Sequence, residues 1–284
     1  MLTVFKHTLS RSRGAIFGWG LTLALLGMMF VPFYDTIVEN AAAFEELMAI
    51  YPPEIMAFFG GAADFTSPEG FLSLEYFSFM PLVIGVYAVL AGSGMLADDE
   101  EKGVLDLIAA QPISRSALFW GRLFSLWAIQ LVILAFGWAG VMFATTYSSM
   151  VLDPVELLIP FASLGGLLFF FTGLSLLFSM LLPSKRSAGM LSGIFLVASF
   201  FLNGLAGLSD TLKEIAPFFP LYYYQSDNWV NGFEPGWLLS LLGFGLLFKL
   251  AAWWAFQRRD IRVGGEGGWK LKLPKFLNRK PVEA

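Results

Sequence analysis

The sequence predicts an all-α membrane protein with six transmembrane helices, and two observations carry this prediction. Of the 284 residues, 57% are hydrophobic and only 14% are charged, whereas soluble domains carry about 25% charged residues. In addition, six stretches reach the roughly 20 mostly apolar residues that a helix needs to cross a hydrocarbon core. These stretches cover residues 14–34, 79–97, 119–147, 157–182, 188–208 and 236–256.

The positions of the basic residues predict how these spans are oriented. All of the 18 Lys and Arg residues except Lys213 fall on one side of the six-span pattern. Because basic residues near span ends are retained in the cytoplasm, we expect a multi-pass protein of the plasma (inner) membrane with both termini cytoplasmic. The chain then divides into an N-terminal segment (1–13), a six-span domain (14–256) and a basic cytoplasmic tail (257–284), which we expect to lie against anionic lipid.

The composition argues against several classes of function. The chain has no cysteine, which excludes disulfides and thiolate catalysis. It has no basic stripe, so we expect no nucleic-acid partner. His7 is the only histidine, and no catalytic or metal-ligating groups cluster at one membrane depth, so we expect neither an enzyme nor a metal site. Lys249 lies near the predicted cytoplasmic end of the sixth span, where we expect it to snorkel to the membrane surface.

The N-terminal segment is predicted to form an amphipathic helix. Leu2, Phe5 and Leu9 recur on one helical face, a pattern typical of a helix lying in the membrane interface. The first span could also be interpreted as a signal peptide with a small-residue site at 41–43. Its apolar run is longer than the roughly 7–15 residues of such a segment, so we expect it to remain as an anchor.

Helical signals also occur in the connections on the predicted outer side. In residues 35–78 we expect short amphipathic helices, one of them capped by Ser67 and starting at Pro68. Residues 217–237 are rich in Tyr, Trp and Pro, which favours an interfacial re-entrant hairpin; a substrate gate is the alternative.

The connection between the second and third spans, residues 97–122, carries the strongest functional signal. Four consecutive acids at 98–101 are predicted to begin a helix, because negative charges interact favourably with the positive N-terminal end of the helix macrodipole. Its apolar face would consist of Val104, Leu105, Leu107 and Ile108. Pro112 would end this helix, and Ser114 would cap the next helix, which becomes span three.

This predicted helix is too short to cross a membrane, and its apolar face indicates a protein partner. Two other interpretations are a helix lying on lipid and an acidic metal site. Anionic headgroups would repel the acids, and consecutive carboxylates do not match the spacing of a Mg²⁺–diphosphate site.

These residues resemble the membrane subunits of ABC transporters of the ABC-2 (type-2 exporter) group. Members of that group carry an acidic residue, Gly-Thr, an aliphatic pair and Pro-Ile/Val-Ser-Arg in this connection, followed by Gly-Lys in the third span. The matching residues are Glu101, Gly103, Val104 in place of Thr, Leu107, Ile108, Pro112, Ile113, Ser114, Arg115, and Gly121 with Arg122 in place of Lys. The stretch FQRRDI at 256–261 is similar to the end of the last span in many members.

The resemblance implies a permease subunit of an ATP-driven exporter, with a coupling helix at about 101–111 that docks on a separate ATP-binding subunit. It also implies a second copy or a paralogous permease, with membrane lipids around both. ATP and Mg would be bound by the partner, and this chain, which lacks a G-x-x-x-x-G-K-[ST] motif, would hold no cofactor. A non-transporting scaffold and a lipid-modifying enzyme are the alternatives. The expected docking residues are Glu101, Gly103, Val104, Leu105, Leu107, Ile108, Pro112, Ser114 and Arg115.

A second set of residues is expected to act in helix packing or in the transport pathway. Two G-x-x-x-G pairs would let helices approach closely, either within the chain or between two chains. Two polar side chains would lie inside the spans. The set consists of Gly14, Gly18, Gln130, Gly189, Gly193 and Asn203.

Overall fold

A computed structural model describes residues 1–50, 52, 66–226 and 232–259. Within these ranges every regular element is helical, which confirms the predicted all-α fold. Most of the predicted basic tail, and parts of both long outer connections, lie outside the described residues.

Six helices in the described part of the chain are long and apolar enough to cross a membrane, as predicted. They differ from the predicted stretches by a few residues at their ends, and we call them spans 1 to 6. Their bounds are Arg13–Glu39, Met80–Glu101, Arg115–Ala144, Leu158–Leu181, Lys185–Leu205 and Pro235–Arg258.

The spans alternate in direction, so that the start of span 1 and the end of span 6 lie on the same side of the bundle. Arg11, Arg122, Lys185 and Arg259 all reach the final turns of span 2 on that side. We call it the inner side and the opposite side the outer side. This arrangement agrees with the even number of crossings that the sequence predicts.

The N-terminal helix, Leu2–Arg11, packs against span 3. A Cβ atom on Gly121 would lie 2.9 Å from the Cβ of Val4, so the glycine allows the two helices to approach. The Ser125 hydroxyl donates to the carbonyl of Phe5 at 2.8 Å. Val4 is the buried residue of this helix, whereas Leu2, which was expected on its apolar face, is 65% exposed.

Spans 2 and 4 form the most buried part of the bundle, and their contact depends on glycine. A Cβ atom on Gly92 would lie 2.5 Å from the carbonyl oxygen of Thr172 and 2.1 Å from the hydroxyl of Ser175. Span 1 packs mainly on span 3, where Gly140 meets Ala24 in the same way. Because lipid provides little hydrophobic force between spans, close backbone contacts of this kind stabilise the bundle.

The described part of the first outer connection confirms the predicted cap. The Ser67 hydroxyl oxygen accepts from the Gly70 N–H at 3.1 Å, and Pro68 is the first residue of the helix Pro68–Leu72. A π-helical turn, Ser73–Phe77, then leads into span 2.

The second outer connection folds back onto the bundle through short 3-10 turns. Gln225 is fully buried, and its N–H donates to the hydroxyl of Ser163 in span 4 at 2.8 Å. The N–H of Leu221 donates to the hydroxyl of Ser199 in span 5 at 3.1 Å. Residues 227–231 of the predicted hairpin lie outside the described ranges, so both the hairpin and the alternative of a substrate gate stay predictions.

The close approach at Gly92 generates a testable prediction. Gly→Ala in an open helical position stabilises by about 0.5–1 kcal/mol, but at Gly92 the new methyl group would collide with the backbone of span 4. We expect Gly92→Ala to lower the unfolding temperature of the purified protein, measured in detergent. Gly243→Ala in span 6, where nothing lies within 4 Å of the added atom, serves as the control and should not lower it. Equal melting temperatures for the two variants would contradict the described packing.

Candidate functional site

The inner end of span 2 consists of four consecutive acids, and each of them bonds to another part of the bundle. Asp98 pairs with Lys185 of span 5 at 2.7 Å, and Asp99 pairs with Arg122 of span 3 at 2.5 Å. Glu100 pairs with Arg259 at the end of span 6, and the carboxylate of Glu101 accepts from the Lys185 N–H at 2.8 Å. Asp99 also pairs with Arg11 at 3.4 Å. We call these four acids, residues 98–101, the acidic clasp.

The central pairs of the acidic clasp are buried. Asp99 is 4% exposed, Glu100 is 5% exposed and Arg122 is 8% exposed. The guanidinium of Arg122 also donates to the carbonyl of Met95 at 2.7 Å, so more than one of its donors is used. Removing one partner of such a pair leaves an uncompensated buried charge, which costs about 3–5 kcal/mol. The clasp therefore holds the inner ends of several helices in one arrangement.

The position of these acids differs from the prediction. They were expected at the beginning of the coupling helix, but they form the last turn of span 2. A carboxylate at a helix C-terminus is unfavourable with respect to the macrodipole, and the bases from other helices offset that cost. The predicted helix at 101–111 is correspondingly shorter, covering Leu105–Ala109.

Gly103 separates span 2 from this short helix. It has a φ of 66°, in the left-handed region that favours glycine. Its N–H donates to the carbonyl of Glu100 at 3.0 Å, and the N–H of Val104 donates to the carbonyl of Asp99 at 2.8 Å. These two bonds form a Schellman motif, so Gly103 ends span 2 and turns the chain into the next helix.

The apolar residues 104, 105, 107 and 108 were predicted to form one face, and the structure contradicts this prediction. Leu105 is 1% exposed, and Ile108 is half-buried and also packs on the bundle core. Leu107, in contrast, is 68% exposed and Val104 is 37% exposed. One side of the helix is thus seated on the transmembrane bundle while the other presents Leu107 to the surroundings. We call Leu105–Ala109 the coupling segment.

The residues that follow the coupling segment join it to span 6. The Ser114 hydroxyl oxygen accepts from the Ala117 N–H at 3.1 Å, which confirms the predicted cap of span 3. Arg115 donates to the carbonyls of Arg259 at 2.7 Å and Phe256 at 3.3 Å. The two stretches that were singled out in the sequence, 101–122 and 256–261, therefore contact each other through their described residues.

The contacts of the described residues do not join members of the second predicted set to one another. Gln130 in span 3 donates to the Thr172 hydroxyl in span 4 at 2.6 Å. Among the described residues of other helices, the Ser93 hydroxyl lies nearest to Gly189, at 3.5 Å from an added Cβ atom. Asn203 is exposed on span 5. Nothing in the described part of the chain lies within 4 Å of a Cβ atom added to Gly14, Gly18 or Gly193.

Lys249 does not snorkel to the membrane surface, and that prediction was wrong. Its side chain is fully buried, its ammonium group lies 3.1 Å from the centroid of the Phe169 ring, and it donates to the carbonyl of Phe169. The physical reason is the contact between spans 4 and 6, where a Cβ atom on Gly173 would lie 2.6 Å from the carbonyl oxygen of Gly245. This approach turns Lys249 toward the aromatic interior of the bundle, where its side-chain nitrogen lies beside the rings of Trp127 and Phe169.

The ion pairs of the acidic clasp were not found from the sequence. A signal was nevertheless present, because a run of four acids stands among connections that otherwise carry bases at the span ends. Arg122, Lys185 and Arg259 each lie within about two turns of such an end. A count of opposite charges at one membrane depth would have indicated the pairing.

The comparison with protein families gives one match over most of the chain. The family described as ABC-2 family transporter protein matches residues 2–261. This range includes the N-terminal helix, all six spans and both stretches that meet at the inner side. No curated protein matches the chain in sequence.

The buried pair of Asp99 and Arg122 gives a prediction for stability. Arg122→Ala should lower the free energy of unfolding by about 3–5 kcal/mol, because it leaves Asp99 buried without its main partner. Replacing both residues, by Asp99→Leu with Arg122→Met, should recover part of the loss. Equilibrium unfolding in mixed micelles measures the difference.

Arg13→Ala provides the matched control, since Arg13 is exposed and should change the free energy of unfolding by less than about 0.5 kcal/mol. If Arg122→Ala is no more destabilising than this control, the clasp does not hold the bundle together.

Proposed function

Because the chain belongs to the ABC-2 family of transporter proteins, we propose that it is the permease subunit of an ATP-driven exporter whose ATP-binding subunit docks on the coupling segment. Membership of the family supports a membrane permease subunit of an ABC transporter. Export, docking at this segment and the energy coupling are our proposal. ATP and Mg²⁺ would be bound by the partner subunit.

The observation that carries this proposal is that one side of the coupling segment is buried against the bundle while the other side is exposed. Leu107 is 68% exposed, and residues 110–112, which follow it, are exposed as well. An exposed leucine on a short helix beside a charged segment is suited to a groove on another protein, because helix-in-groove contacts use a few apolar anchors. A partner that covers Leu107 would remove this apolar surface from water.

The seated side of the coupling segment supports transmission of movement. Leu105 lies in the core, and the Schellman turn at Gly103 connects the segment directly to the acidic clasp. The clasp in turn bonds to spans 3, 5 and 6. A displacement of the segment by the partner would therefore move several inner span ends together, as a rigid-body switch requires.

We further propose that two permease subunits assemble, either two copies of this chain or this chain with a paralogue, in the plasma (inner) membrane with both termini in the cytoplasm. Span 5 is the least buried of the six spans, and Gly193 on it has open space beside it within the chain. Such a surface suits close packing against another helix. The orientation rests on the bases at the inner side.

The docking proposal predicts the effect of one substitution. Leu107→Asp should weaken co-purification with the ATP-binding subunit by at least about thirtyfold, the loss expected of an interface hot spot. Membrane insertion and thermal stability should remain those of the parent chain, because Leu107 contributes little to the bundle core. The measurement is affinity capture of a co-expressed partner, with partner bound per permease as the readout.

Val151→Asp is the matched control, because Val151 is 81% exposed and lies in the connection after span 3, on the outer side. It should leave the captured amount of partner unchanged. Normal capture by Leu107→Asp would contradict docking at the coupling segment, and so would an equal loss in both variants.

A further inference from the structure

A cavity of about 560 Å³ lies on the inner side, between the N-terminal helix and spans 1, 2 and 3. It exists because span 1 packs mainly on span 3 while span 2 packs mainly on span 4, which leaves a gap between spans 1 and 2. Trp19 of span 1 and Tyr87 of span 2 approach each other across it, with ring centroids 5.7 Å apart. The volume falls within the range of about 300–1,000 Å³ that is typical of ligand sites.

One face of span 2 forms a wall of this cavity and changes in polarity along its length. Tyr87, Leu90, Met95 and Asp98 line the cavity and recur at helical spacing. The distance along the helix axis from Tyr87 to Asp98 is about 16 Å. The cavity is therefore elongated, with an apolar and aromatic end toward the middle of the bundle and a charged end at the inner side.

The charged end carries charges of both signs, and Arg11 is the most exposed of the bases that pair with the acidic clasp. Asp98 is paired with Lys185, and Asp99 is paired with Arg122, so two bases already offset these two acids. Arg11 also pairs with Asp99, at 3.4 Å, and its side chain is 59% exposed. A guanidinium has five N–H donors in a fork that fits phosphate oxygens. His7 lines the cavity beside it.

We propose that this cavity binds a phospholipid of the adjacent leaflet, with its phosphodiester group at Arg11 and His7 and one acyl chain along Leu90, Trp19 and Tyr87. The polarity gradient of the cavity matches that of a lipid, and the exposed guanidinium of Arg11 can donate to the oxygens of a phosphodiester. Leu90 is 51% exposed at the margin of the gap, so lipid in the bilayer can enter from the side. Phosphate is held by charge-assisted hydrogen bonds.

The bound lipid would contact the coupling segment as well as the spans. Ile108 of the coupling segment and Ile113 after it both line the cavity, and Arg11 pairs with the acidic clasp. A lipid in this cavity would lie against the buried side of the coupling segment. Lipid-dependent control of ATP hydrolysis would follow from this contact together with the proposed function, whereas lipid binding itself does not depend on that function.

The experiment uses the full chain in nanodiscs with a photoactivatable phosphatidylglycerol that carries a diazirine near the end of its acyl chain. Cross-links are mapped by mass spectrometry without any partner subunit present, so that failure of the proposed function does not affect the result. We expect labelling of residues 87–95 to exceed labelling around Leu131, a 68% exposed residue of span 3. Arg11→Gln should reduce cavity labelling about tenfold, the loss of a hydrogen bond to a charged group.

Two further variants and one competitor complete the test. Leu90→Trp, which fills the cavity, should also abolish the excess labelling, while the controls Arg13→Gln and Leu131→Trp should preserve it. Equal labelling of residues 87–95 and the Leu131 surface would overturn the proposal, as would an unchanged pattern in both Arg11→Gln and Leu90→Trp. Complete displacement by millimolar inorganic phosphate would also overturn it, because the site would then bind free anions rather than lipid.

Discussion

The acidic end of span 2 is the constraint on which the rest of the inner side depends. A membrane bundle has little hydrophobic force to bring its helices together, and each span end could in principle splay. Here four consecutive acids contact bases from the N-terminal helix and from spans 3, 5 and 6. Because Asp99, Glu100 and Arg122 are buried, these pairs are favourable only in one arrangement of the helices. The acidic clasp thus defines a single geometry for the surface that a partner would meet.

The coupling segment derives its position from this geometry. Gly103 turns the chain directly after the clasp, Leu105 enters the core, and Leu107 remains outside. A five-residue helix would not be stable alone, since isolated helices shorter than about 12 residues are marginal in water. Contacts with the bundle stabilise this helix, and for the same reason the helix and the bundle would move together. The permease role rests on family membership, and the coupling that we propose rests on this connection.

The sequence predicts most of the fold because its signals are local. Hydropathy predicts all six spans, and Ser67 and Ser114 cap the helices that follow them. The site is predicted less well because its determinants join distant residues. The acids at 98–101 were placed at a helix start from local dipole reasoning, but Lys185 and Arg259, which lie far along the chain, offset their charge at a helix end. Lys249 was misplaced for a similar reason, since only the contact of Gly173 with Gly245 turns it inward.

Cysteine labelling at position 107 tests the central claim most directly, because the chain has no cysteine of its own and the new thiol would be the only one. A membrane-impermeant maleimide would be applied to Leu107→Cys in intact cells and in inside-out vesicles, with and without the ATP-binding subunit. Our account predicts rapid labelling only in inside-out vesicles, and protection when the partner is bound. Labelling from outside intact cells, or equal labelling with and without the partner, would contradict it.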